Sequence, residues 1–277
     1  MRSVTLPSGE KVPCFGLGTW QLGDDPKLRT EEIATLRLGL DLGARLIDTA
    51  EMYGDGRSES LVGEAIQGRR DEVFLVSKVY PHNASRQGSS AACERSLRRL
   101  KTERLDLYLL HWRGQVPLQE TLAGFVDLQR AGKIRYYGVS NLDLADMQEL
   151  WSVPGGSGVA TDQVLYNLAR RSIEWDLQPW LRERRIPVMA YSPIEQSRLL
   201  RQTKLAKFSK QHAMTPAQAA LAWLLRHEDV IVIPKTGNRE RLKENFAATE
   251  RPLSDAEVSE LDRLYPPPAQ AQGLEML

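Results

Sequence analysis

Strand-like apolar runs and amphipathic helical runs alternate along this chain, and the pair recurs eight times. The strand candidates are FGLGT, RLIDT, VFLVSK, LDLYLLH, KIRYYGVS, TDQVLYN, PVMAYS and VIVIPK. Each leads into a helix candidate: IATLRLGLDLG, SLVGEAI, AACERSLRRL, LQETLAGFVDLQRAG, LADMQELW, WDLQPWLRERR, AQAALAWLLRH and RLKENFAA. Repeated βα order produces a parallel sheet, because each helix must carry the chain back before the next strand can run the same way. The 277 residues would also accommodate two smaller domains. No linker divides the eight units, so the expected fold is one closed (β/α)8 TIM barrel spanning residues 1–277 as a single domain.

Local signals refine this frame. VTLPSGEKV places two β-prone pieces around Pro7, Ser8 and Gly9, which predicts a β-hairpin cap ahead of the barrel. Thr215, Pro216 and Gln218 spell a capping box with proline at the first helical position, and Ser254 with Glu257 spells a second. The second box opens a last helix through Val258, Leu261 and Leu264, stopped by the prolines at 266–268. The segment 266–277 reads as a flexible tail.

Charge and cysteine usage narrow the partners. A net charge of +1 with both signs interspersed creates no field to gather nucleic acid or coat a membrane, so a small-molecule partner is expected. Cys14 and Cys93 are isolated thiols without disulfide or metal spacing, which fits a reducing cytoplasm. MRSVTLPSG has no apolar signal core, and no run approaches the roughly 20 apolar residues that span a bilayer. No long exposed apolar stripe is evident, so a monomer is expected.

Four polar residues stand at or just after the ends of adjacent strand candidates. Asp48 ends the second, Tyr53 follows it, Lys78 ends the third and His111 ends the fourth. Barrel sites lie at the carboxyl ends of the strands, so these side chains are expected to converge. Singly, each has an ordinary explanation as a helix cap, a loop anchor or a satisfied core polar group. Together they are harder to dismiss, since burying an acid, an amine and an imidazole side by side costs desolvation that apolar packing avoids.

The set suits proton transfer to a carbonyl oxygen. A lysine ammonium beside a phenol stabilises the phenolate, so Lys78 is expected to lower the Tyr53 pKa and make it a better acid. Asp48 would keep Lys78 charged, and His111 could orient a substrate oxygen by a hydrogen bond. Metal hydrolysis is disfavoured because His82, His111, His212 and His227 are the only histidines and none form an HxH pair; no metal is expected. A Schiff-base role for Lys78 would need it neutral, against which Asp48 argues.

Two further segments bear on a cofactor. Gly16 and Gly18 lack the third glycine of a dinucleotide fingerprint and read as a place where the first strand turns beneath a ligand. Lys235, Thr236, Asn238 and Arg241 lie between the eighth strand and its helix, where barrels bind phosphate; a solvated basic helix start is the alternative.

The segments LGARLIDTAEMYG, LVSKVYP, LDLYLLHW, GKIRYYGVSN, TDQVLYN, VMAYSP and IPKTGNRERLKEN follow one another in an order that resembles the aldo-keto reductase superfamily over nearly the whole chain. The resemblance implies Tyr53 as general acid, Asp48 and Lys78 as its tuning partners and His111 as the carbonyl-orienting group. It also implies NADPH, with Ser140, Asn141 and Gln163 on the nicotinamide carboxamide and Tyr191 stacked on the ring. Lys235, Thr236 and Arg241 would meet the 2′-phosphate, Glu244 and Asn245 the adenine, and Gly18, Thr19, Trp20 and Ser192 would complete the cofactor contacts. Trp20 and Trp112 would wall the pocket of an aldehyde or ketone reduced to its alcohol.

One segment departs from that pattern. Many relatives carry a glycine-rich loop after the seventh strand that folds over the pyrophosphate, whereas this chain reads SPIEQSRLL, which puts that clasp in doubt. The short WRGQVPLQ loop suggests an open pocket for varied small aldehydes. An NADP(H)-binding sensor on the same barrel is the rival reading, since a fold does not fix a function.

Overall fold

Strands β1 (Ser3–Thr5) and β2 (Lys11–Pro13) pair antiparallel, as the Pro-Ser-Gly turn between them predicts. In this computed structural model, which describes all 277 residues, that hairpin seals one end of a barrel. Val4, Leu6, Val12 and Cys14 from the hairpin region join Leu46, Phe74, Val76, Leu107, Leu109, Ala160, Met189, Ile231 and Ile233 in one buried cluster inside the ring of strands. The Arg135 guanidinium and the Tyr136 hydroxyl both bind the Glu10 carboxylate, fastening the hairpin to the barrel.

The barrel runs β3 (Gly16–Gly18), α1 (Arg29–Leu42), β4 (Leu46–Asp48), α2 (Arg57–Ala65), β5 (Phe74–Val79), α3 (Arg86–Leu100), β6 (Leu105–Leu110), α4 (Leu118–Arg130) and β7 (Ile134–Ser140). It continues through α5 (Leu144–Ser152), β8 (Asp162–Leu165), α6 (Leu177–Glu183), β9 (Val188–Tyr191), α7 (Thr203–Gln211), α8 (Pro216–Leu225), β10 (Val230–Val232) and α9 (Arg239–Ala247). Sequence order and sheet order coincide from β3 to β10, and every pairing is parallel. Bridges from Phe15 to Val232 and from Gly18 to Lys235 join the first and last staves.

The two glycines of FGLGT serve this closure. A Cβ on Gly18 would lie 2.7 Å from the Ile233 carbonyl oxygen, and one on Gly16 would lie 2.5 Å from Leu46 Cδ2. Their lack of a side chain lets the outer staves approach, a packing role in addition to the ligand role read from the sequence.

Period-two alternation then aims the polar residues. Leu46, Phe74, Val76, Leu107 and Leu109 face the barrel interior, whereas Ile47, Leu75, Val79, Tyr108 and Leu110 pack outward under the helices. Asp48, Lys78 and His111 each lie two positions beyond an inward apolar residue, so they point inward one layer above the core.

Helix α7 is an addition to the eight-unit pattern. The sequence pattern runs from PVMAYS directly to AQAALAWLLRH, whereas Leu205 and Phe208 bury one face of a helix at residues 203–211. Both expected capping boxes are present, on α8 and on α10 (Asp255–Leu264). Residues 266–277 form no helix or strand; Leu274 packs against the core and Glu275 pairs with Arg170. No helix is long and apolar enough to cross a membrane.

Candidate active site

The four strand-end residues meet. Lys78 Nζ donates to Asp48 Oδ2 at 2.8 Å, to the Thr49 carbonyl at 2.9 Å and to the Tyr53 hydroxyl at 3.1 Å. Its side chain is fully buried, and these three oxygens use all the donors an ammonium has. The Tyr53 and His111 rings lie edge to face with centroids 5.7 Å apart. Trp112 packs against His111 at 4.9 Å, while Trp20 is 40% exposed at the end of the first barrel stave.

Burial and charge set the protonation states. Burial alone would push Lys78 down, but the Asp48 carboxylate and its pairing with Tyr53 more than offset this, so the ammonium is held above its ordinary range. His111 is driven down to about 2, first by burial and then by the Lys78 charge, and is therefore neutral. Its Nδ1 is buried without a partner.

Tyr53 corrects the expectation of a lowered pKa. Its ring is partly buried but its hydroxyl end is enclosed, and loss of water raises its pKa; Lys78 opposes that shift and Asp48 adds to it. A phenol held this way keeps its proton at neutral pH, as a proton donor requires.

The same carboxylate reaches the next group of residues. Asp48 Oδ1 accepts from Gln163 Nε2 at 2.8 Å, and the Gln163 carbonyl accepts from Ser140 Oγ at 2.8 Å. Asn141 Nδ2 donates to the His111 carbonyl at 3.2 Å, and Asn141 Oδ1 accepts from the Tyr191 hydroxyl at 2.9 Å. Ser140, Asn141, Gln163 and Tyr191 thus form a polar shelf beside the four. Thr19 is buried below, donating through Oγ1 to the Asp48 carbonyl at 2.9 Å.

The third group lies around the start of α9. Asn238 caps that helix by accepting from the Arg241 amide at 3.0 Å, and Thr236 Oγ1 accepts from the Asn238 amide at 3.1 Å. Lys235 and Arg241 make no side-chain hydrogen bond or ion pair, whereas Arg239 is taken by Glu31 and Lys243 by Glu240. Glu244 and Asn245 follow on α9, Asn245 buried. Two unpaired cations beside a helix N-terminus are a donor set suited to a phosphate.

A fourth group lies in the SPIEQS segment, whose backbone shape and partners the sequence does not show. Ser192, Glu195, Gln196 and Ser197 all have positive φ, at 47°, 51°, 49° and 69°. None is glycine, and the left-handed region costs such residues about 1–2 kcal/mol each. The buried Glu195 side chain anchors this turn: Oε2 accepts from Asn167 Nδ2 at 2.8 Å, and Oε1 from Arg170 Nε and Nη2, each at 3.0 Å. The unusual Glu in SPIEQS was the available signal, but its partners are distant in sequence.

A model of the aldo/keto reductase family matches residues 15–266. The chain belongs to that family. Methylglyoxal reductase YeaE of Escherichia coli (strain K12) is 50% identical over 281 residues, which cover 100% of this chain and 99% of that protein. Glyoxal reductase of Bacillus subtilis (strain 168) is 31% identical over 265 residues, covering 95% and 92%. An aldo-keto reductase from Klebsiella pneumoniae, solved in complex with NADPH, superimposes with a TM-score of 0.97 at 48% identity over 100% of this chain and 99% of that one.

The protein is accordingly an NADP-dependent aldo-keto reductase, which resolves the choice between catalyst and sensor. The unpaired Lys235 and Arg241 and the polar shelf at Asn141 and Gln163 fit the two ends of that cofactor.

Proposed function

We propose that the reductase converts small aldehydes and ketones, 2-oxoaldehydes among them, to alcohols with Tyr53 as proton donor. NADPH, when bound, supplies the hydride that adds to the carbonyl carbon. The single observation that carries the assignment is the 3.1 Å contact between Lys78 Nζ and the Tyr53 hydroxyl, made by a lysine that Asp48 keeps charged.

Neutral His111 offers a ring N–H to the substrate oxygen and fixes which lone pair faces Tyr53. As negative charge grows on that oxygen, the Tyr53 proton transfers to it, and the Lys78 ammonium stabilises the phenolate left behind. Ser140, Asn141 and Gln163 hold the carboxamide end of the cofactor and Tyr191 supports the ring. Lys235, Thr236 and Arg241 take the 2′-phosphate, Glu244 and Asn245 the adenine, and Gly18, Thr19, Trp20 and Ser192 the remaining contacts. Trp20 and Trp112 border the mouth, and the similarity to methylglyoxal and glyoxal reductases supports a small dicarbonyl substrate.

The test is the loss of NADPH absorbance with methylglyoxal, glyoxal and larger aldehydes, in wild type and Tyr53→Phe. Turnover by wild type and its near-abolition in the variant are expected; a fully active Phe variant overturns the donor assignment. We further read the protein as a single-domain monomer, on the ground that one eight-stranded sheet runs through the chain, and place it in a reducing cytoplasm, where its two free thiols would persist. Elution as one chain and a single unfolding transition are the expected results.

A further inference from the structure

Arg170 stands between two carboxylates that belong to different parts of the chain. Its Nε and Nη2 grip Glu195 in the left-handed turn after β9, and its Nη1 binds Glu275 in the last segment. The backbone of Arg170 is itself pinned, because Asn167 and Arg170 exchange main-chain hydrogen bonds at 3.2 and 3.0 Å. Asn167 also donates to the Ser192 carbonyl at 2.9 Å, at the very start of that turn.

The turn begins directly after Tyr191 and is closed by its own amides, Glu195 N–H donating to the Ser192 carbonyl, Ser197 N–H to that of Ile194 and Arg198 N–H to that of Glu195. It lies on the stave next to the one that carries Lys235. Glu275, the other partner, belongs to the last segment of the chain. Leu274 anchors the same segment on the core.

We infer that Arg170 is a positioning residue that couples the 192–198 turn, next to the cofactor seat, to the 272–277 segment. The inference rests on the cofactor seat proposed above. With both carboxylates bound, the turn is held in a shape its side chains disfavour and the last segment is held on the barrel. Losing either grip loosens both, because one guanidinium serves the two.

The test is stopped-flow release of NADPH from the binary complex, with KM for methylglyoxal, in Glu275→Gln, Arg170→Lys and the double variant. Glu275→Gln removes a charge that is 33% exposed, in a segment outside the barrel's helices and strands. It is expected to speed NADPH release roughly threefold and to raise KM by a similar factor, with kcat changed less. Arg170→Lys cannot span both carboxylates and is expected to release NADPH roughly tenfold faster. In that background the Glu275 change should add nothing further.

Unchanged release in Glu275→Gln, or effects that simply multiply in the double variant, would overturn the coupling. A stability loss in Arg170→Lys without faster release would show a structural contact only and would overturn it too. These outcomes are distinct from failure of the underlying seat, which would appear as absent NADPH binding in wild type.

Discussion

Gln163 Nε2 lies 2.8 Å from Asp48 Oδ1, so a residue of the proposed nicotinamide seat shares a carboxylate with the lysine that faces the proton donor. The two positions are 115 residues apart in the chain. The cofactor seat and the proton site are therefore one hydrogen-bonded unit. Gln163→Leu should raise the NADPH dissociation constant and also lower kcat, since one Asp48 oxygen loses its only side-chain donor. A titration of NADPH alongside steady-state rates checks both, and a variant with weakened binding but unchanged kcat would separate the two groups.

Tyr53→Phe removes the proton and leaves the ring. Turnover should fall by about 10²–10⁴, the usual worth of a positioned general acid. NADPH affinity should stay within about twofold, read by fluorescence titration.

Lys78→Met leaves Asp48 buried with no cation. Removing one partner of a buried pair costs about 3–5 kcal/mol, so the urea midpoint should drop sharply. The double variant Asp48→Asn with Lys78→Met should recover part of that stability and none of the activity, because the uncompensated charge is gone but the support for Tyr53 is gone as well.

His111 and His227 give the stability a pH slope. Burial, with a cationic neighbour second, holds His111 down to about 2 and His227 to about 4, against an ordinary value of 6.5. Between those values the unfolded chain binds protons that the folded chain refuses, so stability is complete above pH 6.5 and declines as pH falls. His111→Asn should flatten this slope by about 2 kcal/mol between pH 7 and pH 5. Urea unfolding at the two values measures it; equal slopes would mean that His111 is protonated in the fold.

Arg241→Ala and Lys235→Ala should weaken NADPH far more than NADH, because only NADPH carries the 2′-phosphate that these unpaired cations would meet. Ratios of the two dissociation constants decide it. Equal losses for both nucleotides would place the residues elsewhere on the cofactor.

The sequence by itself determined the eight-stave order, the hairpin, both capping boxes and the strand ends at which Asp48, Lys78 and His111 stand. Each of these is written in local signals: turn residues, cap spacing, and an apolar alternation that makes a residue two places beyond Val76 or Leu109 point inward. The extra helix α7 is not legible in the sequence because Leu205 and Phe208 are its only large apolar residues in a polar stretch. What tertiary structure alone decided is every relationship that depends on distance through space. The Tyr53 pKa went up because enclosure of its hydroxyl outweighs Lys78, a balance no spacing records. Glu195 in SPIEQS reads as a poor substitute for glycine until Asn167 and Arg170 are seen around it. Desolvation and ion pairing depend on which atoms surround a group in three dimensions, and only the closed barrel supplies those neighbours.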